Sequence, residues 1–280
     1  MERTYDPEVL KRLQQKELEM FKDFIALCEK HDIHYFVIAG TAIGAMREQR
    51  MIPWDDDIDV GMLREDYEKF LRIAPRELKG KYLINGPDTP RKYYNLVPNM
   101  SIPGTRFIVD LARDVFDIGI FMDIFVFENI PDDEKEADRH MKKARLWRDL
   151  YILSNINYWN HMSGTGATLK VKYAVCGMIY EAMNLLRITP RRIYRHYRKV
   201  ALKYYGKTEH YTILGDPFAK ILCLHREDIF PLKKTKFEDF EVSIVNDCDK
   251  MLRIRFGDYM KVPPVDKRVN HCPAVLELGD

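Results

Sequence analysis

The chain lacks any long apolar run. No stretch of its 280 residues approaches the roughly 20 apolar residues that a membrane-spanning helix needs. The first residues, MERTYDPEVLKRLQQKELEMF, also lack the apolar core of a secretory signal. We therefore expect a cytoplasmic protein, and peripheral contact with the inner membrane face is the alternative that these absences leave open.

The chain also lacks a regular cysteine pattern and a large excess of either charge. The five cysteines include no CxxC pair, which argues against a disulfide framework and fits a reducing compartment. Lysine and arginine total 45 against 43 acidic residues, so the net charge is only +2 and no nucleic-acid partner is expected. Without repeats or low-complexity linkers, this length suits one large domain or a domain with an insertion.

Hydrophobic periodicity predicts an α+β or α/β fold. The first 75 residues alternate between helical and strand patterns: a helix over 6–30 with Asp6 as its cap, a buried strand over 34–40, a short helix capped by Thr41, a strand over 58–62 and a helix over 64–71. Short β-like runs follow between 82 and 127. Two amphipathic helices that break near Pro190 are predicted within 168–207.

Composition suggests three segments. We predict a catalytic core over 1–134, a helical, basic insertion over 135–210 and a segment over 211–280 that completes the catalytic domain. Residues 168–207 contain ten lysines and arginines and one acid, Glu181. This stretch either lies on an anionic membrane near a lipid-linked acceptor, or forms ordinary surface helices whose apolar residues cover the core: Val171, Val175, Met178 and Ile179.

The densest charge lies in PWDDDIDVG at 53–61. A calcium loop starting at Asp55 would need glycine sixth and glutamate twelfth, where Val60 and Asp66 stand, so that interpretation fails. As the start of a strand, the stretch would place Asp55, Asp57 and Asp59 on one face, where carboxylates suit Mg²⁺ or Mn²⁺. Asp56 would point the other way, and we expect it to be dispensable. A solvated acidic turn explains the alternation with apolar residues less well.

The preceding stretch, GTAIGAMREQR, predicts a phosphate site. A strand that ends at Gly40-Thr41 and turns into a helix exposes backbone N–H groups at the helix N-terminus. Gly44 would permit a ligand or the second strand to approach closely, and Arg47 would clamp a phosphate. Arg47 alone would be an ordinary surface arginine.

These residues resemble a known family. The stretches GTAIGAMREQRMIPWDDDIDVGMLREDYEKF, FMDIFVFENIPDD (121–133) and FGDYMKVPPVDKR (256–268) are similar to signatures of the LicD phosphotransferases, in the nucleotidyltransferase-fold superfamily. The resemblance implies a mixed β-sheet flanked by helices. It also implies that Asp57 and Asp59 bind the metal with Asp123 as third carboxylate, and that Asp55 is a further ligand or supporting acid. Gly40 and Thr41 match the positions that meet the nucleotide phosphates. The stretch YYNLVPNMSIPGTRF departs from the family in having no lysine.

The resemblance further implies an activity. A phosphorylated head group, such as phosphocholine, would pass from a CDP-linked donor to a hydroxyl of a glycan such as lipopolysaccharide or teichoic acid, or of its lipid-linked precursor, with Mg²⁺ or Mn²⁺ as cofactor. Asp123 or Asp55 would accept the proton. Alternatives are transfer of a nucleotide from an NTP to a small molecule or protein, and a non-catalytic binding protein. In the tail, Lys267, Arg268 and His271 contact donor or acceptor, or belong to a Pro-Pro turn with solvated charges.

Overall fold

The structure is a computed structural model that describes residues 5–109, 118–156, 166–216 and 219–279. Within these ranges the helices are α1 (Pro7–Lys30), α2 (Ala39–Arg47), α3 (Arg64–Glu77), α4 (Glu134–Asn155), α5 (Gly166–Leu185), α6 (Pro190–Ala201), α7 (Arg226–Ile229) and α8 (Cys248–Phe256). The strands are β1 (Phe36–Val37), β2 (Asp59–Leu63), β3 (Leu83–Asn85), β4 (Asn99–Ser101), β5 (Arg106–Ile108), β6 (Phe121–Ile130), β7 (His210–Ile213), β8 (Leu224–His225), β9 (Lys233–Phe237), β10 (Phe240–Ile244) and β11 (Val275–Glu277). The predicted α+β class with a mixed sheet is confirmed. No helix of the described residues is long and apolar enough to cross a membrane.

The chain divides into two compact units. The first comprises Met1–Asn85, Val97–Phe127 and Ile221–Asp280, and the second comprises Gly86–Leu96 and Glu128–Lys220. The prediction had placed its boundaries after residues 134 and 210. The predicted helical insertion is represented by α4, α5 and α6, while its residues 157–165 lie outside the described ranges.

The first unit contains a mixed sheet with the order β1-β2-β6-β4-β3. Strands β2 and β6 are parallel, whereas β1 with β2, β4 with β6 and β3 with β4 are antiparallel. Gly61 in β2 is required by packing, because a Cβ there would lie 2.4 Å from the ring of Phe36 and 2.9 Å from that of Phe127. These two rings meet edge to face at 5.2 Å and seal one face of the central strand pair.

Helix α1 forms as its sequence predicts. The Asp6 carboxylate caps it by accepting from the N–H groups of Glu8 and Val9, and Pro7 occupies the first turn. Its apolar face is fully buried at Leu13, Phe21 and other core positions. The helix thus covers the core with the face that its periodicity indicated.

Two predicted elements differ in the structure. The strand expected over 34–40 is reduced to Phe36–Val37, since α2 already begins at Ala39 after an extended Ile38. Thr41 therefore lies inside α2 rather than capping it. Helix α3 continues past the predicted residue 71 to Glu77 and contains Pro75.

In the second unit, α6 packs against α4. Thr189 caps α6 by accepting from the Arg192 N–H, and Pro190 begins the helix, which confirms the predicted break between the two basic helices. The hydroxyl of Tyr197 donates to the Leu214 carbonyl at 2.5 Å, and that of Tyr151 donates to the Tyr93 carbonyl at 2.6 Å. Buried tyrosines thereby tie the helices to the adjoining loops.

Candidate active site

Two aspartates face each other across the central strand pair. Asp59, the first residue of β2, is in register with Asp123 of β6. The Asp123 N–H donates to the Ile58 carbonyl at 2.9 Å, which fixes that register. Adjacent strands run about 4.8 Å apart, so the two carboxylates are anchored as neighbours. The sequence predicted this pair only through the family resemblance.

The residues around this pair place several carboxyl groups close together in a buried environment. Burial, followed by the charge of Asp57, raises the pKa of Asp123 to about 8, and the same two causes raise the pKa of Asp55 to about 8. Burial and the charges of Asp57 and Asp123 raise the pKa of Asp59 well above its ordinary value. The pKa of Asp57 is also raised, chiefly by burial. These carboxylates need positive charge from outside the cluster in order to ionise together.

The donor set has the chemistry of a hard-cation site, although among the described residues no three of its carboxylates bring oxygens within 4.8 Å of one another. Asp55, Asp57, Asp59 and Asp123 offer only carboxylate oxygens, which suit Mg²⁺ or Mn²⁺ better than zinc. Their raised pKa values show that ionising these buried carboxylates together is unfavourable. A bound cation would offset that cost.

Asp56 is buried and hydrogen-bonded, which argues against the expectation from strand alternation that it points away from the site and is dispensable. It is 1% exposed, and it accepts hydrogen bonds from the Tyr5 hydroxyl at 2.6 Å, the His271 N–H at 2.9 Å and the Cys272 N–H at 3.0 Å. Strand β2 begins only at Asp59, so residues 55–58 do not alternate as a strand. Asp56 joins the acidic turn to both ends of the chain.

His271 supplies positive charge beside the turn. Its Nδ1 lies 3.2 Å from Asp56 Oδ1 and 3.7 Å from Asp57 Oδ2. Although desolvation opposes protonation, the Asp56 hydrogen bond and the charge of Asp57 raise the pKa of His271 to about 9. Conversely, burial opposes ionisation of Asp56, but its contacts with His271 lower the pKa of Asp56 below the ordinary value.

The same three side chains form a cluster with metal-like spacing. Among the described residues, the one set of three or more ligand atoms within 4.8 Å of each other belongs to Asp56, Asp57 and His271. An imidazolium cannot bind a cation, and Asp56 already accepts hydrogen bonds from Tyr5 and Cys272. We therefore interpret this set as an ion pair that holds the C-terminal segment, and not as a metal site.

The N-terminus of α2 lies against the acidic turn. A Cβ on Gly40 would lie 2.3 Å from Asp55 Oδ2, so only glycine allows this carboxylate to sit there. The Thr41 hydroxyl accepts from the Asp59 N–H at 2.9 Å and is buried. The first N–H groups of any helix lack intrahelical acceptors. Gly40 and Thr41 thus bring a helix N-terminus, which favours anions, next to the acidic residues.

Gly44 and Arg47 have structural partners. A Cβ on Gly44 would lie 2.4 Å from the Arg50 carbonyl oxygen, so the close approach at this glycine comes from the following turn. The Arg47 guanidinium donates to Glu48 at 2.8 Å and to the Tyr259 carbonyl at 2.9 Å, and its side chain is 8% exposed. These contacts account for both residues without a ligand, and their predicted phosphate roles stay predictions.

The C-terminal segment from Arg268 to Cys272 crosses the acidic turn. The Arg268 guanidinium stacks over the Trp54 ring at 4.1 Å, and the Asn270 amide donates to the Trp54 carbonyl at 3.2 Å. The segment then continues into β11, which pairs with β5. Of the three predicted tail residues, Arg268 and His271 lie at the turn, while Lys267 is exposed at the end of a 3₁₀ turn. Their predicted substrate contacts remain predictions.

Sequence analysis missed two buried residues near the acids. Asn99 of β4 is in register with Asp123, and its amide lowers the pKa of that carboxyl against the larger effect of burial. Its own oxygen accepts from the Asn85 amide at 2.9 Å. Glu17 on α1 is 1% exposed, and neither of its carboxylate oxygens has a hydrogen-bond partner among the described residues. Neither residue is marked by a local pattern, because each is defined by contacts across the fold.

Carboxylates on adjacent parallel strands, beside a helix N-terminus, are an arrangement that phosphoryl-transfer sites use. The family model described as the LicD/FKTN/FKRP nucleotidyltransferase domain matches residues 32–147, which include α2, the acidic turn and Asp123.

One of the sequence relatives is a phosphotransferase by name. Over 259 residues the chain is 26% identical to the lipopolysaccharide cholinephosphotransferase LicD of Haemophilus influenzae, covering 91% of this chain and 92% of that protein. An uncharacterized protein of Rickettsia prowazekii is 40% identical over 114 residues, which are 41% of this chain and 40% of that protein. One of Rickettsia typhi is 41% identical over 58 residues, 21% and 19% of the respective chains. The predicted resemblance to the LicD phosphotransferases is confirmed.

Proposed function

We propose that this protein transfers phosphocholine, or a similar phosphorylated head group, from a CDP-linked donor to a hydroxyl of a cell-surface glycan or its lipid-linked precursor. The observation that carries the proposal is the register of Asp59 with Asp123 beside the α2 N-terminus. The relative from Haemophilus influenzae, which aligns with 91% of the chain, supports the head group and the glycan acceptor. CDP-linked donors place the reaction in the cytoplasm.

Each part of the site has a role in this reaction. Asp57, Asp59 and Asp123, with Asp55 beside them, would hold Mg²⁺ or Mn²⁺. A bound divalent cation supplies charge neutralisation at the donor diphosphate and the leaving CMP. The N–H groups at Gly40 and Thr41 face the anionic donor, and the buried Thr41 hydroxyl keeps α2 attached to β2 through Asp59.

A carboxylate of the cluster would also move the proton. We assign acceptance of the acceptor hydroxyl's proton to Asp55 or Asp123, which a bound cation would keep ionised as a general base requires. Asn99 lies in register with Asp123 and hydrogen-bonds to its side chain, so it would hold that carboxylate in place.

Nucleotidyl transfer is a second candidate, favoured by the description of the matching family model as a nucleotidyltransferase domain. The two reactions differ in their products: head-group transfer from a CDP-linked donor releases CMP, whereas nucleotidyl transfer from an NTP releases pyrophosphate. The same carboxylates would serve both.

The test is a donor screen that measures both products. Purified protein is incubated with CDP-choline, CDP-ribitol, CDP-glycerol or an NTP, with Mg²⁺ or Mn²⁺ or with a chelator, and with a glycan acceptor. We expect CMP release from a CDP-linked donor, dependent on the cation and the acceptor. Pyrophosphate release from an NTP would replace the proposal with nucleotidyl transfer, and the absence of any turnover would favour a binding protein.

A further inference from the structure

Helix α5 exposes an apolar stripe. Val171, Val175, Met178 and Leu185 are 61%, 38%, 64% and 85% exposed, and their spacing of three, four and seven residues keeps them on one side of the helix. Leu186, directly after the helix, is 67% exposed. Single exposed apolar residues are ordinary, but a continuous stripe of large ones indicates a binding surface.

The stripe is not the side by which α5 packs into its own unit. The buried residues of α5 are Cys176 and Met183. At 3.6 residues per turn, these two lie about 130° around the helix from the stripe. Packing against the described residues of the unit therefore leaves the stripe uncovered.

Basic side chains border the stripe. Lys170 and Lys172 are the chain neighbours of Val171, so they lie about 100° to either side of it. Lysines in this position can bury their methylene stems and keep their ammonium groups at a polar boundary. Helix α6 also exposes basic residues: Arg191, Arg192, Arg195, Arg198 and Lys199.

The combination of apolar stripe and positive charge selects one class of partner. A second copy of the chain would bring two strongly basic segments together, and like charges repel. Residues 168–207 of each copy contain ten lysines and arginines and one acid, Glu181. Nucleic acid would match the charge but would leave the apolar stripe in water. An anionic bilayer surface satisfies both features, with the apolar residues at the acyl boundary and the basic residues among the headgroups.

We propose that α5 is an interfacial membrane-binding helix, which lies in the plane of an anionic leaflet with Val171, Val175, Met178 and Leu185 inserted. The helix lies on the bilayer and does not cross it, in keeping with its length and polarity. The inference stands apart from the transferase activity and can be measured without donor or acceptor.

The test is co-sedimentation of the full chain with lipid vesicles. We expect binding to vesicles of equal parts phosphatidylcholine and phosphatidylglycerol, and little binding to phosphatidylcholine alone. Met178→Asp should weaken binding at least about tenfold, because it places a charge at the acyl boundary. Lys170→Gln and Lys172→Gln should each weaken it about fivefold and make it less sensitive to salt.

The control is Val265→Asp, which changes a similarly exposed apolar residue of the first unit, 74% exposed, outside α5. It should bind vesicles like the wild type. Equal losses in Val265→Asp and Met178→Asp would overturn the assignment to α5, and so would wild-type protein that stays in solution with anionic vesicles at low salt. Sedimentation velocity tests whether the stripe binds a second copy of the chain instead. A wild-type dimer that Met178→Asp dissociates, together with no vesicle binding, would show that it does.

Discussion

Asp56 offers a sharp perturbation, because a single buried carboxylate holds residues from both ends of the chain. Its side chain is fully buried, and its contacts are the Tyr5 hydroxyl, the backbone N–H groups of His271 and Cys272, and the His271 ring. We predict that Asp56→Ala releases the C-terminal segment from the acidic turn and lowers the stability of the first unit.

The size of the effect follows from the contacts. Removing the Asp56 carboxylate costs about 3–5 kcal/mol, because the Tyr5 hydroxyl and two backbone N–H groups each lose a charged acceptor at about 1–2 kcal/mol, while the His271 ring, 44% exposed, keeps its hydration. Asp56→Asn keeps one acceptor oxygen and should cost about 2–3 kcal/mol. This cost arises because each of several donors exchanges a charged acceptor for a neutral one, which forms a weaker hydrogen bond. For a unit of this size, the Ala variant should melt roughly 6–20 °C below the wild type.

Two measurements check this prediction. Thermal unfolding followed by circular dichroism gives the loss of stability, and the alkylation rate of Cys272, read by mass spectrometry, reports local release of the segment. Asp266→Ala, which changes an exposed aspartate, is the matched control. If Asp56→Ala unfolds within about 1 kcal/mol of the wild type and Cys272 reacts at the wild-type rate, our account of Asp56 is wrong.

Further predictions concern three other positions. Gly40→Ala should displace the Asp55 carboxylate and reduce the transfer rate at least about tenfold. The melting temperature should change little, since alanine suits a helix. A wild-type transfer rate would contradict the close contact between Gly40 and Asp55. Burial and the neighbouring aspartates raise the pKa of Glu17, so the wild type loses stability as pH rises above the ordinary glutamate value, by up to about 1.4 kcal/mol per pH unit. Glu17→Gln should therefore stabilise the metal-free protein more at pH 7 than at pH 4.5 in urea unfolding; lower stability at both values would show an ionised, paired Glu17. Burial lowers the pKa of His140 to about 4, so the unfolded state alone takes up a proton as pH falls from 6.5, and wild-type stability should drop by about 3 kcal/mol by pH 4. His140→Gln should lose less over that range, and an equal loss would refute the assignment.

Local patterns predicted the elements whose formation depends on nearby residues. Asp6 and Pro7 begin α1, and Thr189 with Pro190 begins α6, because caps and proline act within one helical turn. The stretch IDVGM likewise predicted β2 to within one residue at each end. In these places the sequence itself carries the physical cause.

The site could be predicted only in part, because its decisive contacts are distant in sequence. Asp56 pairs with His271 and Cys272 some 215 residues away, and no local pattern reveals that pairing. Strand alternation did not predict the contacts of Asp56, since β2 begins only at Asp59. Asn99 and Glu17 were missed for the same reason, because their importance comes from the strand register and from burial beneath the site.

The central claim is that the strand carboxylates serve cation-dependent transfer of a phosphorylated head group. The direct measurement is the rate of CMP release from the preferred CDP-linked donor, with Mg²⁺ and acceptor, for the wild type, Asp57→Asn and Asp59→Asn. Each variant should lose at least about a hundredfold in rate, or about 2.7 kcal/mol of transition-state stabilisation, and should melt no lower than the wild type because a repelling charge has been removed. A variant that folds and still releases CMP at nearly the wild-type rate would contradict the account.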